Sequence, residues 1–76
     1  MKALIEYCAR QLVDLPDSVH VDEHDTGGTT VLTLRVAPGD LGKVIGREGR
    51  TAQAMRLLLA AAASAQGRRA TLEIAD

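Results

Sequence analysis

The sequence has very little of what small proteins use to reinforce their folds. It contains one cysteine, two prolines and one tyrosine, and neither tryptophan nor phenylalanine. Cys8 therefore has no partner for an internal disulfide, and a lone thiol suits a reducing compartment such as the cytoplasm. At helical spacing Cys8 joins Leu4 and Leu12, so we expect it to belong to the core.

Long apolar runs are scarce as well. The longest, Leu57 to Ala63, has seven residues, whereas a membrane-spanning helix needs about 20. Glu6 interrupts the apolar start of the chain, which argues against a secretory signal. We therefore expect a soluble, cytoplasmic protein with no membrane association. Its 76 residues are enough for one small domain, which we expect to span 1–76.

Net charge is small too, at −1, but it is unevenly distributed. Residues 43–69 carry six basic side chains and one acid, a balance of +5, whereas residues 1–42 carry −4. A polyanion responds to the local field and not to the total charge. The basic third of the chain is therefore a candidate surface for a polyanion.

The first elements that the pattern predicts are a helix and a hairpin. Apolar residues recur at helical spacing before Pro16, namely Leu4, Ile5, Cys8, Leu12 and Leu15. Two runs of alternating polarity then flank Gly27-Gly28, a dipeptide typical of a tight β-turn. One run is centred on Val19 and Val21, and the other on Leu32 and Leu34.

Two further helices and a strand are predicted after Pro38. Asp40 is placed to cap a short helix over residues 41–45. A long helix begins near Arg50 or Thr51 and ends at Gly67, and a closing strand follows. The whole is a two-layer α+β domain, in which three strands are covered on one face by three helices. The last strand follows a crossover, so it can lie parallel to a hairpin strand.

The join between the two later helices reads V-I-G-R-E-G-R, residues 44–50. We expect Gly46 to leave the short helix with positive φ, and Gly49 to let a ligand approach the backbone. The first turn of the long helix presents unpaired N–H groups here, and Arg47 and Arg50 flank them. Such an arrangement favours a phosphate, although a bare G-x-x-G also serves simply as a tight turn.

The stretch L-G-K-V-I-G-R-E-G-R-T-A-Q-A-M-R-L-L-L, residues 41–59, resembles the core of a KH domain. In that family an Ile-Gly-x-x-Gly turn joins two helices and clamps about four nucleotides. The order of elements is similar to the type II arrangement. The whole chain resembles the small bacterial single-KH-domain RNA-binding proteins of the KhpA-like family, which implies a non-catalytic RNA chaperone or post-transcriptional regulator.

The resemblance also implies an interface for single-stranded RNA. Its residues would be Lys43, Val44, Ile45, Gly46, Arg47, Glu48, Gly49, Arg50 and Arg56. Residues 46–49 would hold the sugar–phosphate backbone, the two apolar residues would form part of a floor for the bases, and the other basic residues would border the backbone path. Glu48 departs from a purely basic clamp and is expected to weaken binding. Thr51 replaces the larger aliphatic residue of many KH motifs, and we expect it to cap the helix.

The long helix has one apolar stripe that can face the sheet, and a second one that indicates a partner. The residues of the first stripe are Ala52, Met55, Leu59, Ala62 and Ala63. Those of the second stripe are Ala54, Leu57, Leu58 and Ala61, with Ala65 beyond them. A helix that is apolar on two sides either packs under another element or forms an interface. The first helix could cover the second stripe. The resemblance instead favours a homodimer, or a heterodimer with a larger KH-containing protein.

Other functions fit the sequence less well. A helix-turn-helix that reads duplex DNA is a rival, but only Gln53 and Arg56 could contact base edges. Another rival is an adaptor that binds a protein partner and whose clamp is vestigial.

His20 and His24 lie about 13 Å apart on a strand, too far to share a metal ion. The sequence contains no nucleophile–base pair, so we expect neither an enzyme nor a bound metal or cofactor.

Overall fold

Three helices and three strands make up the part of the chain that the computed structural model describes, residues 1–75. In chain order they are α1 (Lys2–Leu12), β1 (His20–Thr26), β2 (Thr29–Arg35), α2 (Leu41–Ile45), α3 (Arg50–Ala65) and β3 (Arg69–Ile74). Short 3₁₀ turns cover Pro16–Ser18 and Pro38–Asp40, and a tight turn with positive φ at Glu48 covers Arg47–Gly49. This order confirms the α+β fold and the type II KH arrangement that the resemblance implies.

The sheet is mixed, as the crossover predicts. β1 and β2 form an antiparallel hairpin in which Thr26 pairs with Thr29. Gly27 and Gly28 adopt φ of 57° and 83°, the positive values that two-residue hairpin turns require. β3 pairs with β2 in parallel, so that the strand order is β1-β2-β3 and β3 lies at an edge.

The apolar core lies between the sheet and the helices. Its buried residues are Ile5, Ala9, Val19, Val21, Leu32, Leu34, Val44, Met55, Leu59 and Leu72. α1 lies over β1 and β2, α3 packs along β3, and α2 packs against the other two helices. Cys8 is half-buried against this core. On β1 the side chains of His20, Asp22 and His24 are exposed, as expected for a solvated strand face.

α1 ends earlier than its apolar pattern predicts. It ends at Leu12, and Pro16 begins a 3₁₀ turn instead of terminating the helix. The helix buries Ile5 and Ala9, whereas Leu12 and Leu15 are exposed. A buried face predicted from the large apolar residues alone does not include Ala9. Ala9 is nevertheless buried, because a small side chain lets a helix pack closely against a sheet.

Asp40 does not cap α2 with its side chain, contrary to the sequence prediction. Only 3% of the residue is exposed, and its carboxylate accepts a hydrogen bond from the backbone N–H of Leu15 at 3.0 Å. Burial pushes the pKa of Asp40 upward, but the backbone groups of Leu15 and Asp14, together with Lys43, more than offset it. The pKa of Asp40 is therefore below its ordinary value.

The carboxyl end of α3 is closed by a Schellman motif. Gly67 has a φ of 68°, and its N–H donates to the carbonyl oxygen of Ser64 at 3.0 Å. The N–H of Arg68 donates to the carbonyl oxygen of Ala63 at 2.8 Å. These two bonds satisfy two of the last carbonyls of the helix, and β3 begins at the next residue, Arg69. The predicted role of Gly67 at the helix end is confirmed.

No helix within residues 1–75 has both the length and the apolar character to cross a bilayer.

Candidate nucleic-acid interface

The loop between α2 and α3 is built from backbone conformations that most side chains avoid. Gly46 ends α2 with φ 77° and ψ 172°, a region almost restricted to glycine. Glu48 has φ 57° and Gly49 has φ 74°, both in the left-handed region. Positive φ at Gly46 is thus confirmed. The loop folds back tightly enough for the N–H of Gly49 to donate to the carbonyl oxygen of Gly46 at 3.1 Å.

The two glycines of the loop differ in their surroundings. A Cβ at Gly46 would lie 2.7 Å from the Cβ of Thr51 and 2.8 Å from its backbone nitrogen. A Cβ at Gly49 would meet no atom within 4 Å. Thr51 therefore packs against Gly46. It does not cap α3, contrary to the sequence prediction, because Gly49 occupies the N-cap position.

The charges of the loop fall into a paired and an unpaired group. Arg50 and Glu48 form an exposed ion pair, with 3.3 Å between guanidinium nitrogen and carboxylate oxygen. Arg47 forms no ion pair with any carboxylate in the described part of the chain. No side chain of residues 1–75 caps the amino end of α3. An exposed cation thus lies next to an uncapped helix N-terminus, where the helix dipole favours an anion.

The two apolar residues before the loop differ in what they can contact. Val44 is fully buried, with 0% exposure, and belongs to the core. Ile45 is 37% exposed. Of the two residues, only Ile45 therefore presents an apolar surface outside the core.

Lys43 lies beside the loop but is shared between two carboxylates. Its ammonium nitrogen is 3.3 Å from an oxygen of Asp14 and 3.6 Å from an oxygen of Asp40. The hydrogen bond and charge of Asp14, with a smaller contribution from Asp40, raise the pKa of Lys43 above its ordinary value. Lys43 thus tethers α2 to the segment after α1, and much of its charge is neutralised there.

Arg56 lies along the edge of the sheet. Its Nε donates to the carbonyl oxygen of Leu72 in β3 at 3.3 Å. Within the described residues β3 pairs only with β2, so its other edge is open. Arg56 therefore places a positive charge where α3 runs beside an open strand edge.

The outer face of α3 is apolar and uncovered. Leu57 is 65% and Leu58 50% exposed, and Ala54 and Ala61 are exposed beside them. The four residues point away from the buried face of the helix, on which Met55 lies. The alternative that α1 covers this stripe is therefore wrong for the single chain.

The structure also reveals a groove that sequence reasoning missed. It lies between the end of α3 and the start of β3, and its volume is about 690 Å³. Its lining includes Ala60, Ser64, Arg68, Arg69, Ala70 and Thr71. The charge pattern of the sequence already shows the Arg68-Arg69 pair. The groove beside it forms only because α3 packs against β3, and no local sequence pattern indicates that packing.

Comparison with known proteins finds a matching family and several full-length relatives. A family model described as "KhpA/KhpB, KH domain" matches residues 2–74. The chain is 53% identical to the RNA-binding protein KhpA of Halalkalibacterium halodurans over the full length of both. It is 47% identical to the protein of that name from Clostridium acetobutylicum, over 97% of this chain and 99% of the relative. It is 52% identical to that of Treponema pallidum, over 96% of this chain and 91% of the relative.

Proposed function

The chain belongs to the KhpA/KhpB family of KH domains, and from this premise we propose that it is a non-catalytic module that binds single-stranded RNA in the cytoplasm. Its relatives carry the name RNA-binding protein KhpA. A role as an RNA chaperone or post-transcriptional regulator belongs to the same proposal. The observation that carries it is the loop over residues 46–49, where the exposed cation of Arg47 meets an uncapped helix N-terminus.

The loop suits a sugar–phosphate backbone better than it suits an isolated ion. Gly49 has open space around it, so a strand can approach the main chain there. Ile45 offers an apolar contact beside the loop, and Arg56 supplies a second cation further along α3. The loop and Arg56 would thus bind phosphates, and Ile45 would contact a base beside them. Because Glu48 engages Arg50, the net charge of the loop is modest, and we expect weak, salt-sensitive binding by a single chain.

Pairing through α3 would compensate for a weak single site. The exposed face around Leu57 and Leu58 fits a second copy of the chain or a larger KH-containing partner. Two linked sites bind a longer RNA with an effective concentration that neither has alone. The same face makes α3 a poor reader of duplex DNA, because apolar side chains occupy the positions that would face a major groove.

Binding of labelled single-stranded RNA across a salt series tests the proposal. The decisive variant is Arg47→Asp/Glu48→Asp, in which aspartate tolerates the positive φ at position 48. Arg10→Asp on α1 is a control with the same change in charge. We expect the loop variant to lose about tenfold or more in affinity at low salt, while Arg10→Asp stays within about threefold because long-range charge effects are screened.

Three results would contradict the proposal in different ways. If both folded variants bind as well as the wild type does, the loop is not the site. If the wild type prefers duplex DNA, the helix-turn-helix reading is correct. If the wild type binds no nucleic acid but still associates with a protein, the adaptor reading is correct, and the exposed face of α3 is the observation that favours it. Circular dichroism establishes that each variant is folded.

A further inference from the structure

Asp14 lies outside the loop but contacts a cation that borders it. It belongs to the short segment between α1, which ends at Leu12, and the 3₁₀ turn that begins at Pro16. One oxygen of its carboxylate is 3.3 Å from the ammonium nitrogen of Lys43. The side chain of Asp14 is 77% exposed, and Lys43 is its one ion-pair partner among residues 1–75. A surface carboxylate thus occupies a cation beside the loop.

The second carboxylate near Lys43 is held differently. Only 4% of the Asp40 side chain is exposed, and its Oδ1 is 3.6 Å from the ammonium nitrogen. Its Oδ2 already accepts the N–H of Leu15. Asp40 is therefore fixed within the fold, whereas Asp14 can turn into solvent without leaving a buried charge unpaired. Of the two carboxylates, Asp14 is the one that a ligand can displace.

Lys43 is close enough to the loop to reach a ligand held there. It precedes Gly46 by three residues, so less than one helical turn separates them, and its four-carbon stem is flexible. In the free chain, however, two carboxylates within 3.6 Å offset its charge. A phosphate that approaches Lys43 is repelled by Asp14 until this carboxylate moves aside.

We propose that Asp14 is an internal competitor of RNA: its carboxylate holds Lys43 in the free chain, and a phosphate of RNA bound at the loop takes its place. The proposal rests on the proposed function and adds a contact that lowers the affinity of the same site. An exposed ion pair is weak enough to exchange readily. Release of counterions from the RNA favours the phosphate, and loss of the pair with Asp14 reduces the net gain.

Removal of the competing charge tests the proposal. Affinity for a single-stranded RNA decanucleotide is measured across a salt series for the wild type, Asp14→Asn and Asp17→Asn. Asp17 is an exposed control three residues further on, and it forms no ion pair within residues 1–75. Asp14→Asn should raise the affinity about threefold at low salt and steepen the salt slope by up to about 0.7, because Lys43 is then free to bind a phosphate. Asp17→Asn should change the affinity by less than about 1.5-fold.

A double-mutant cycle establishes whether Asp14 acts through Lys43. In a chain that carries Lys43→Gln, Asp14→Asn should change the affinity by less than about 1.5-fold, because the cation for which it competes is absent. Asp14→Ser removes the same charge with a different side chain and should reproduce the gain of Asp14→Asn. The bond between Asp40 and Leu15 remains in all of these variants, and urea denaturation measures whether each is folded.

The loop variant Arg47→Asp/Glu48→Asp separates this inference from the proposed function. If the loop variant loses affinity while Asp14→Asn and Asp14→Ser bind no more tightly than the wild type, the loop binds RNA but Asp14 does not compete with it. If Asp17→Asn gives the same gain, or the gain persists without Lys43, the effect is one of overall charge and the inference is overturned. If neither the wild type nor Asp14→Asn binds RNA, both proposals fail.

Discussion

The loop between α2 and α3 requires glycine at positions 46 and 49 for different structural reasons. Gly46 combines a backbone conformation that is almost restricted to glycine with direct contact to Thr51. Gly49 has only the left-handed conformation and is otherwise surrounded by open space. Glu48 accepts the same left-handed region without being a glycine. At this scale the site depends on backbone angles as much as on charge.

We predict that alanine substitution distinguishes the two glycines. Gly46→Ala should lower the free energy of unfolding by about 3 kcal/mol or more, because a strained φ and a clash with Thr51 add together. Gly49→Ala should cost only about 1–2 kcal/mol, since the strain of positive φ is its only penalty. Urea denaturation of both variants measures the difference.

Gly49→Asn is the control for this pair, because asparagine tolerates the left-handed region better than alanine does. It should be more stable than Gly49→Ala. Equal losses for Gly46→Ala and Gly49→Ala would show that the contact with Thr51 plays no part.

At the scale of the element, α2 is too short to be stable by itself. A helix of five residues is far below the length at which helices persist in water. Val44 anchors it in the core, and Asp40 and Lys43 attach its start to the segment after α1. Because α2 leads directly into Gly46, these contacts also position the loop.

We predict that the anchoring by Asp40 depends on pH. The pKa of Asp40 is lower in the folded chain than its ordinary value of 3.8. Its carboxylate therefore stabilises the fold fully above about pH 4, and this contribution is lost as the pH falls through the lowered pKa. Asp40→Asn should be less stable than the wild type at neutral pH, and the difference should shrink in acid.

Denaturant unfolding of both proteins between neutral and strongly acid pH measures this dependence. Asp17→Asn, a change of the same kind at an exposed position, is the control and should show little difference at neutral pH. A gap between Asp40→Asn and the wild type that stays constant into acid would contradict the assignment.

At the scale of the whole molecule, the folded chain presents two separate surfaces. One is the basic side formed by the loop and Arg56, and the other is the apolar outer face of α3. Both are carried by the same helix on different sides. A partner on the apolar face would therefore leave the basic side accessible.

We predict that Leu57→Gln/Leu58→Gln disrupts pairing without unfolding the chain. Both side chains are mostly exposed, so the stability of the single chain should change by only about 0.5 kcal/mol. Light scattering over a range of concentrations should show the mass of a dimer for the wild type and that of a monomer for the variant. The variant should also bind long RNA more weakly than the wild type, because a monomer has only one binding site.

Leu15→Gln removes a similarly exposed leucine outside α3 and should leave the mass unchanged. A wild type that stays monomeric at every concentration would show that the face does not bind a second copy. A larger KH-containing partner would then be the remaining candidate for it.

The sequence alone was sufficient wherever the relevant physics is local. Periodicity and glycine positions predicted the hairpin turn at Gly27-Gly28, the positive φ at Gly46 and the helix end at Gly67, because these features depend on the few residues nearest to them. Together with the resemblance, they predicted the order of the elements and the family.

Only the tertiary structure decided which partner each of these residues meets. It directed the carboxylate of Asp40 to the backbone N–H of Leu15 and not to the N–H groups of α2, buried Val44 but not Ile45, and left α3 uncovered at Leu57. It also created the groove at Arg69. Such contacts join residues far apart in the chain, and the packing of helices on a sheet selects them through distances that no local pattern contains.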